Sequence, residues 1–440
     1  MELRDLIVTP LLLIIIYALA YLIRPYVTDP INRRYFFSAL TVKVIGALAI
    51  GFLYQFYYSG GDTFNYHTHG SRHIWNAIMD SPQGLNLIFG GNDLGLYKYY
   101  SRIVFYSDPA SFFIVRIAAL FDLITFSSYS GTAVLFAVVS FMGMWMFFKA
   151  FYEQFPHLHR WIALAAFFIP SVFFWGSGLL KDTITLASVG AMMLALKRVM
   201  IDKKFKIGSI LLLLVSAYLL FSIKKYILLC FLPAALLWVY LSNLYRIPSL
   251  ALRILMFPFV VAIIAGSGYW AVSKVSESDE RYALSKIPET ARITAYDIGY
   301  YSGRGAGSAY SLGELDGTFG NMISKAPQAI NVAIFRPYLW EVRNPLMAIS
   351  ALECFALLLF TIYVIYLKRH VFFKMILDPN VIFCLVFSIT FAFAVGISTY
   401  NFGTLSRYRI PLLPFYVMAL ALMFHYEKKE RKFEELEVTE

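Results

Sequence analysis

Charge is what this chain is short of. Asp, Glu, Lys and Arg make up only 15% of its 440 residues, against 59% hydrophobic, and the mean hydropathy is +0.65. A soluble globular domain carries roughly a quarter charged residues, so that class is excluded. Cysteine is nearly missing: Cys230, Cys354 and Cys384 each fall inside an apolar run, which argues against a disulfide framework. The first apolar segment follows Glu2 and Asp5 and lacks a small-residue cleavage pattern, so it is expected to remain as a helix and not to be removed as a signal peptide. The glycine-rich stretch Tyr300–Ser308 neither follows a strand nor leads into a P-loop lysine, which speaks against a nucleotide site.

Long apolar runs are what the chain has in quantity. Hydrocarbon offers no partners to a bare backbone, so such runs cross a bilayer as helices. About eleven are expected, at residues 7–23, 38–57, 131–148, 161–178, 183–199, 207–223, 226–243, 254–272, 346–366, 378–398 and 410–425. The fold class is therefore an all-α polytopic membrane protein. It forms one integral membrane domain over residues 1–440, with two large external loops (about 58–130 and 273–345) carrying interfacial helices and a cytoplasmic tail (about 426–440). The stretch Ser111–Phe126 carries Arg116 and Asp122 and is short, so it is assigned to the membrane surface.

With that assignment, alternate connections collect Arg24, Arg33, Arg34, Lys149, Arg160, Lys197, Arg198, Lys203, Lys204, Lys206, Arg246, Arg253, Lys368, Arg369, Lys374 and the tail cations Lys428, Lys429, Arg431 and Lys432 on one side. The positive-inside rule makes this side cytoplasmic, with the N-terminus outside. The net charge of +11 follows from this bias and from anionic headgroups, so no nucleic-acid partner is needed.

Charges on the other side stand out against the bias. Gly60-Gly61-Asp62-Thr63 begins the first external loop directly after an apolar run, and a glycine pair can fold Asp62 back toward the membrane edge. A plain turn with a capping acid is the alternative reading. Lys181 and Asp182 follow Trp175-Gly176-Ser177-Gly178 at a helix end expected to be broken, where an N-cap acid beside a snorkelling lysine would also fit. Lys224 and Lys225 share a tight external turn, and the second loop holds Arg304, Arg336, Tyr338, Trp340, Glu341 and Arg343. Arg407 and Arg409 close the external set. Cations at outer turns suit an anionic lipid phosphate, and a few carboxylates among them suit proton removal from an attacking hydroxyl.

The membrane-edge acid in Gly60-Gly61-Asp62-Thr63, the long first loop with surface helices, and the late Arg407-Tyr408-Arg409-Ile410-Pro411-Leu412-Leu413-Pro414 together resemble the GT-C class of polytopic glycosyltransferases. The resemblance implies sugar transfer from a polyprenyl-phosphate or polyprenyl-pyrophosphate donor to a glycan, lipid or protein acceptor at the outer face of a bacterial-type inner membrane. It makes Asp62 the catalytic base and turns Arg407 or Arg409 toward the donor phosphate. Thr63 stands where class members often carry a second acid, and one N-terminal helix is added. Lys181, Lys224, Lys225, Arg304 and Arg336 are expected to join the phosphate site; Asp182, Trp175, Tyr338, Trp340 and Glu341 are expected at the sugar or acceptor.

Two other readings stay open. An O-antigen-polymerase or ligase-like enzyme would rest on Arg304, Arg336 or Arg407 more than on Asp62. A transporter or flippase of lipid-linked sugars would need charges deep in helices and an internal repeat; Glu353 is the clearest buried acid and no repeat is visible. No cofactor is firmly implied. His67, His69 and His73 beside Asp62 leave a divalent metal open, although on a helix only His69 and His73 share a face.

Overall fold

The computed structural model describes residues 2–90, 94–244, 249–303 and 307–426. Arg304, Arg246 and the tail from residue 427, with Lys428, Lys429, Arg431 and Lys432, lie outside the described residues. Among the described residues there is helix and no strand, apart from one isolated bridge between Ala309 and Asn401. Among the described residues, seven helices are long and apolar enough to cross a membrane, or eight if one bent pair counts as a span. The chain is an all-α membrane protein.

The main helices follow the apolar runs. They are α1 (Leu3–Val27), α2 (Arg33–Phe52, prolonged by a wider turn over Leu53–Tyr57), α3 (Arg72–Asp80), α4 (Pro109–Thr125) and α5 (Tyr129–Tyr152). Then come α6 (Pro170–Trp175), α7 (Lys181–Leu196), α8 (Ile207–Ile223), α9 (Lys225–Asn243), α10 (Leu250–Ser278) and α11 (Ala326–Phe335). Last are α12 (Pro345–Lys368), α13 (Pro379–Thr399), α14 (Phe402–Tyr408) and α15 (Leu412–Phe424).

Two expected spans are not single helices. The run at 161–178 is divided into His159–Ala163, a wider turn over Leu164–Phe168, and α6, because Pro170 has no N–H to continue the ladder. The run at 410–425 begins earlier, at α14, and bends by 67° into α15 across Arg409–Pro411. α8 is only 17 residues long, and α4, the segment assigned to the membrane surface, buries Asp122 and Ser111 against its neighbours.

The core centres on α5 and α7, which lie side by side at near-contact distance. Glycine permits it. A Cβ at Gly143 would sit 2.3 Å from the Ala187 backbone, and one at Gly190 would sit 2.2 Å from the Gly143 carbonyl oxygen. Small residues give membrane helices their close packing where no hydrophobic drive exists between them. α13 packs on α9, α11 and α15, and Phe231, Phe383, Phe387 and Phe415 interlock there edge to face. α1 stays peripheral, with most of its apolar side chains on the outer surface, as a lipid-facing helix requires.

Candidate functional site

The glycine pair does what its chemistry allows. Ser59, Gly60 and Gly61 all have positive φ (55°, 133° and 118°), and the two glycine values are conformations that L side chains rarely adopt. The Gly60 N–H donates to the Tyr54 carbonyl (2.9 Å), which folds the chain back at the end of α2 and starts a short helical turn, Asp62–Tyr66. Gly61 holds the cap position, so Asp62 is not a capping acid. Its carboxylate instead accepts from Arg407 Nη1 at 2.6 Å, a residue 345 positions away.

Arg407 reaches two acids at once. Its Nε donates to Asp182 Oδ2 at 2.5 Å, and the other oxygen of Asp182 accepts from Lys224 Nζ at 2.5 Å. Leu180, not Asp182, caps α7, so the capping explanation fails for this acid too. The Lys224 ammonium also lies 4.3 Å from the centre of the Tyr408 ring. Exposure differs sharply across the chain of charges: the side chains of Asp182, Arg407 and Asp62 are 1%, 11% and 42% exposed.

Lys181, one residue before Asp182, extends the network. Its Nζ donates to Asp108 Oδ2 at 3.1 Å, tying the start of α7 to the start of α4. Burial pushes the Asp108 carboxyl up, but the Ser111 hydroxyl and the Lys181 ammonium outweigh it and hold Asp108 below the ordinary carboxylate range. Three carboxylates (Asp62, Asp108, Asp182) thus face three cations (Lys181, Lys224, Arg407). The expected surplus of positive charge is absent here, because each cation already has an acid against it.

The remaining expected residues fall into separate groups. Arg409 turns away from Arg407: two positions along a helix are about 200° apart around its axis, so neighbours at that spacing face opposite ways. Arg409 is fully buried and donates to Glu353 Oε1 (3.1 Å), Ser350 Oγ (3.0 Å) and the Arg336 carbonyl (3.0 Å). Glu353 Oε2 accepts from the Ser171 N–H at 2.7 Å, so this pair pins α12 and the bend before α15 to the start of α6. Arg409 is therefore occupied internally and does not share the Arg407 site.

Arg336 pairs bidentately with Glu341, which also accepts from the Tyr338 N–H at 2.8 Å. Burial raises the Glu341 carboxyl, and the Arg336 and Tyr338 donors more than offset it, so its pKa lies below the usual value. Tyr338 and Trp340 stack on each other at 4.7 Å, with Trp340 almost wholly exposed. Lys225 lies 4.0 Å from Asp279 at the end of α10, apart from Lys224.

His67, His69 and His73 do not converge with Asp62. His67 is fully buried, its Nε2 3.3 Å from Asp122 Oδ1. Burial and the nearby Arg102, His69 and Arg72 push the His73 pKa down. Among the described residues no group of three His, Cys, Asp or Glu side chains could hold a metal ion.

A mainly apolar cavity of about 200 Å³ lies beside the Arg409–Glu353 pair, with Ser171 and Ser350 in its wall, and none of Asp62, Asp182, Lys224 and Arg407 lines it. Tyr57 and Tyr58, just before the Gly60–Gly61 turn, line it, as do Phe174, Trp175, Phe402 and Ser406, the last being the neighbour of Arg407. Trp175, expected at the sugar, is thus on its wall.

Two contributors were not singled out from the sequence. Asp108 is one acid in a long polar loop and gives no local signal. Lys43 does give one, a lone lysine within the apolar helix α2. It is fully buried, and its amine donates to the carbonyls of Val172 (3.1 Å) and Gly176 (3.0 Å) at the C-terminal end of α6.

Comparison with protein-family models, with curated proteins and with solved structures found no match.

Proposed function

We propose that this protein is an integral-membrane glycosyltransferase that moves a sugar from a polyprenyl-phosphate-linked donor to an acceptor hydroxyl at the outer face of a bacterial-type inner membrane. In this reading the chain crosses the bilayer eleven times, the N-terminus is outside and the C-terminus is cytoplasmic. Asp62 removes the acceptor proton, and Arg407, with Lys224 and Lys181 behind it, stabilises the departing lipid phosphate. Trp175 offers an aromatic face beside the cavity. No resident cofactor takes part in this scheme.

The observation that carries the reading is the junction at Arg407. Four elements far apart in sequence, the Gly60 turn, the start of α7, the α8–α9 turn and α14, deliver Asp62, Asp182, Lys224 and Arg407 to one spot. A partly exposed acid set against a guanidinium supplies the base and the anion contact that a lipid-phosphate sugar transfer needs. Transfer of a radiolabelled sugar from a polyprenyl-phosphate donor by the purified protein in proteoliposomes is the test. The wild type transfers and Asp62→Asn does not; absence of transfer by the wild type across donors of this class overturns the reading.

A second reading is favoured by one fact, that Arg407 and not Asp62 lies at the centre of the junction. It is the O-antigen-polymerase or ligase-like enzyme, in which Arg407→Ala abolishes transfer and Asp62→Asn retains it.

A further inference from the structure

The charge network has one exchangeable member. Asp182 is gripped from two sides, by Lys224 and Arg407, and withdrawing it would strand charges that are almost completely buried. Breaking such a pair is costly. Asp62 is different: 42% exposed, it meets Arg407 through a single oxygen and hangs from the Gly60–Gly61 turn. Asp62 already meets water on its free side, so its release costs far less than withdrawal of the buried Asp182. Arg407 gives its Nε to Asp182 and its Nη1 to Asp62, and no hydrogen bond from Nη2 is found among the described residues. The outer edge of the guanidinium, Nη1 with Nη2, is the edge a phosphate grips with two oxygens.

We propose that Asp62 occupies an anion seat on Arg407 and that the phosphate group of a phosphoester ligand displaces it. The network is charge-neutral with Asp62 in place, so an incoming phosphate can be accommodated only by exchange, and the carboxylate that leaves is the one already in contact with water. This deepens the glycosyltransferase reading and its catalytic part rests on it: displacement frees Asp62 only when donor is bound. The freed carboxylate then takes the proton of the acceptor hydroxyl as the acceptor oxygen bonds to the anomeric carbon. The bond from that carbon to the phosphate oxygen breaks, its electron pair stays on the phosphate, and the phosphate remains on Arg407. When the lipid phosphate departs, Asp62 releases its proton to water and returns to Nη1. The seat keeps the base masked while no donor is bound.

The experiment needs neither sugar nor turnover, so it can fail while transfer stands, or hold while transfer fails. Binding of inorganic phosphate and of farnesyl phosphate to the purified full chain is measured by titration calorimetry for wild type, Asp62→Asn and Arg407→Gln. Removing the competing carboxylate tightens binding, by about three- to tenfold for loss of a pair of this exposure, and Arg407→Gln abolishes it. Tightening for both probes assigns the seat to phosphate itself; tightening for farnesyl phosphate alone assigns it to a lipid-borne phosphate. In parallel, farnesyl phosphate increases the reaction of wild-type Asp62 with a water-soluble carbodiimide, read by mass spectrometry, which requires no variant to fold. Weaker or unchanged phosphate binding by Asp62→Asn, or protection of Asp62 by ligand, overturns the proposal.

Discussion

Glu353 and Arg409 form an ion pair inside the helical bundle, and removing either partner alone strands the other. In Glu353→Gln the fully buried guanidinium loses its counter-charge while still facing Ser350 and the Arg336 carbonyl. In Arg409→Met the carboxylate keeps only the Ser171 N–H among the hydrogen bonds it now makes. Breaking a buried pair costs about 3–5 kcal/mol per single change. The double variant strands no charge; what remains is the loss of hydrogen bonds to Ser350 and the Arg336 carbonyl, about 1–3 kcal/mol for groups left without partners. The double should therefore be less destabilised than the sum of the singles by about 3 kcal/mol or more. Unfolding of the four proteins in one detergent, followed by helical circular dichroism against denaturant, gives all four corners of the cycle. Additive losses would refute the reasoning, because they would mean the two groups are not coupled.

Other consequences follow from single contacts. Glu341 is held below its ordinary pKa of 4.5 by Arg336 and the Tyr338 N–H, so its contribution is fully present above that value and is lost as the pH falls through the lower folded value. The melting difference between wild type and Glu341→Gln should be flat from about pH 8 to 5 and shrink below about pH 4.5; a difference that grows on acidification would contradict it. Gly190→Ala places a methyl group 2.2 Å from the Gly143 carbonyl oxygen, so α5 and α7 must separate, at about 1–3 kcal/mol of overpacking strain. The detergent melting temperature reads it, and an unchanged value would show that the helices are not held at this distance. Lys43→Met leaves the α6 end carbonyls without their buried donor and should lower stability by about 1–3 kcal/mol, with faster proteolysis at Gly176–Gly178 as the local readout; equal stability and cleavage would contradict the assignment.

Helices were the legible part of this sequence, for a physical reason. A run of some twenty apolar residues has few alternatives to helix, and the apolar runs correspond to helix, continuous or broken, with seven or eight, among the described residues, long and apolar enough to cross a membrane against the eleven expected. The break in the run at 161–178 was legible as well, since proline removes a donor; the bend across Arg409–Pro411 was not, because a single span was expected from residue 410. Partners were not. Nothing local in Gly60-Gly61-Asp62-Thr63 says that its acid meets Arg407 and no other arginine, and the matching of cations by Asp108 and Asp182 is a property of packing. The opposite orientation of Arg407 and Arg409 follows from helical geometry once α14 is known to be helical up to Tyr408; read as a loop, the same residues gave no reason to choose between them.

The central claim is that the junction of Asp62, Arg407, Asp182 and Lys224 holds the phosphate of a lipid-linked sugar. A photoactivatable polyprenyl-phosphate sugar, with the reactive group on the first isoprene unit, tests this directly when cross-linked to the protein in proteoliposomes and mapped by mass spectrometry. The account predicts adducts on the Tyr57–Asp62 and Phe402–Arg407 segments, competed away by unlabelled donor. Adducts confined to other parts of the chain, or insensitive to competitor, would contradict it.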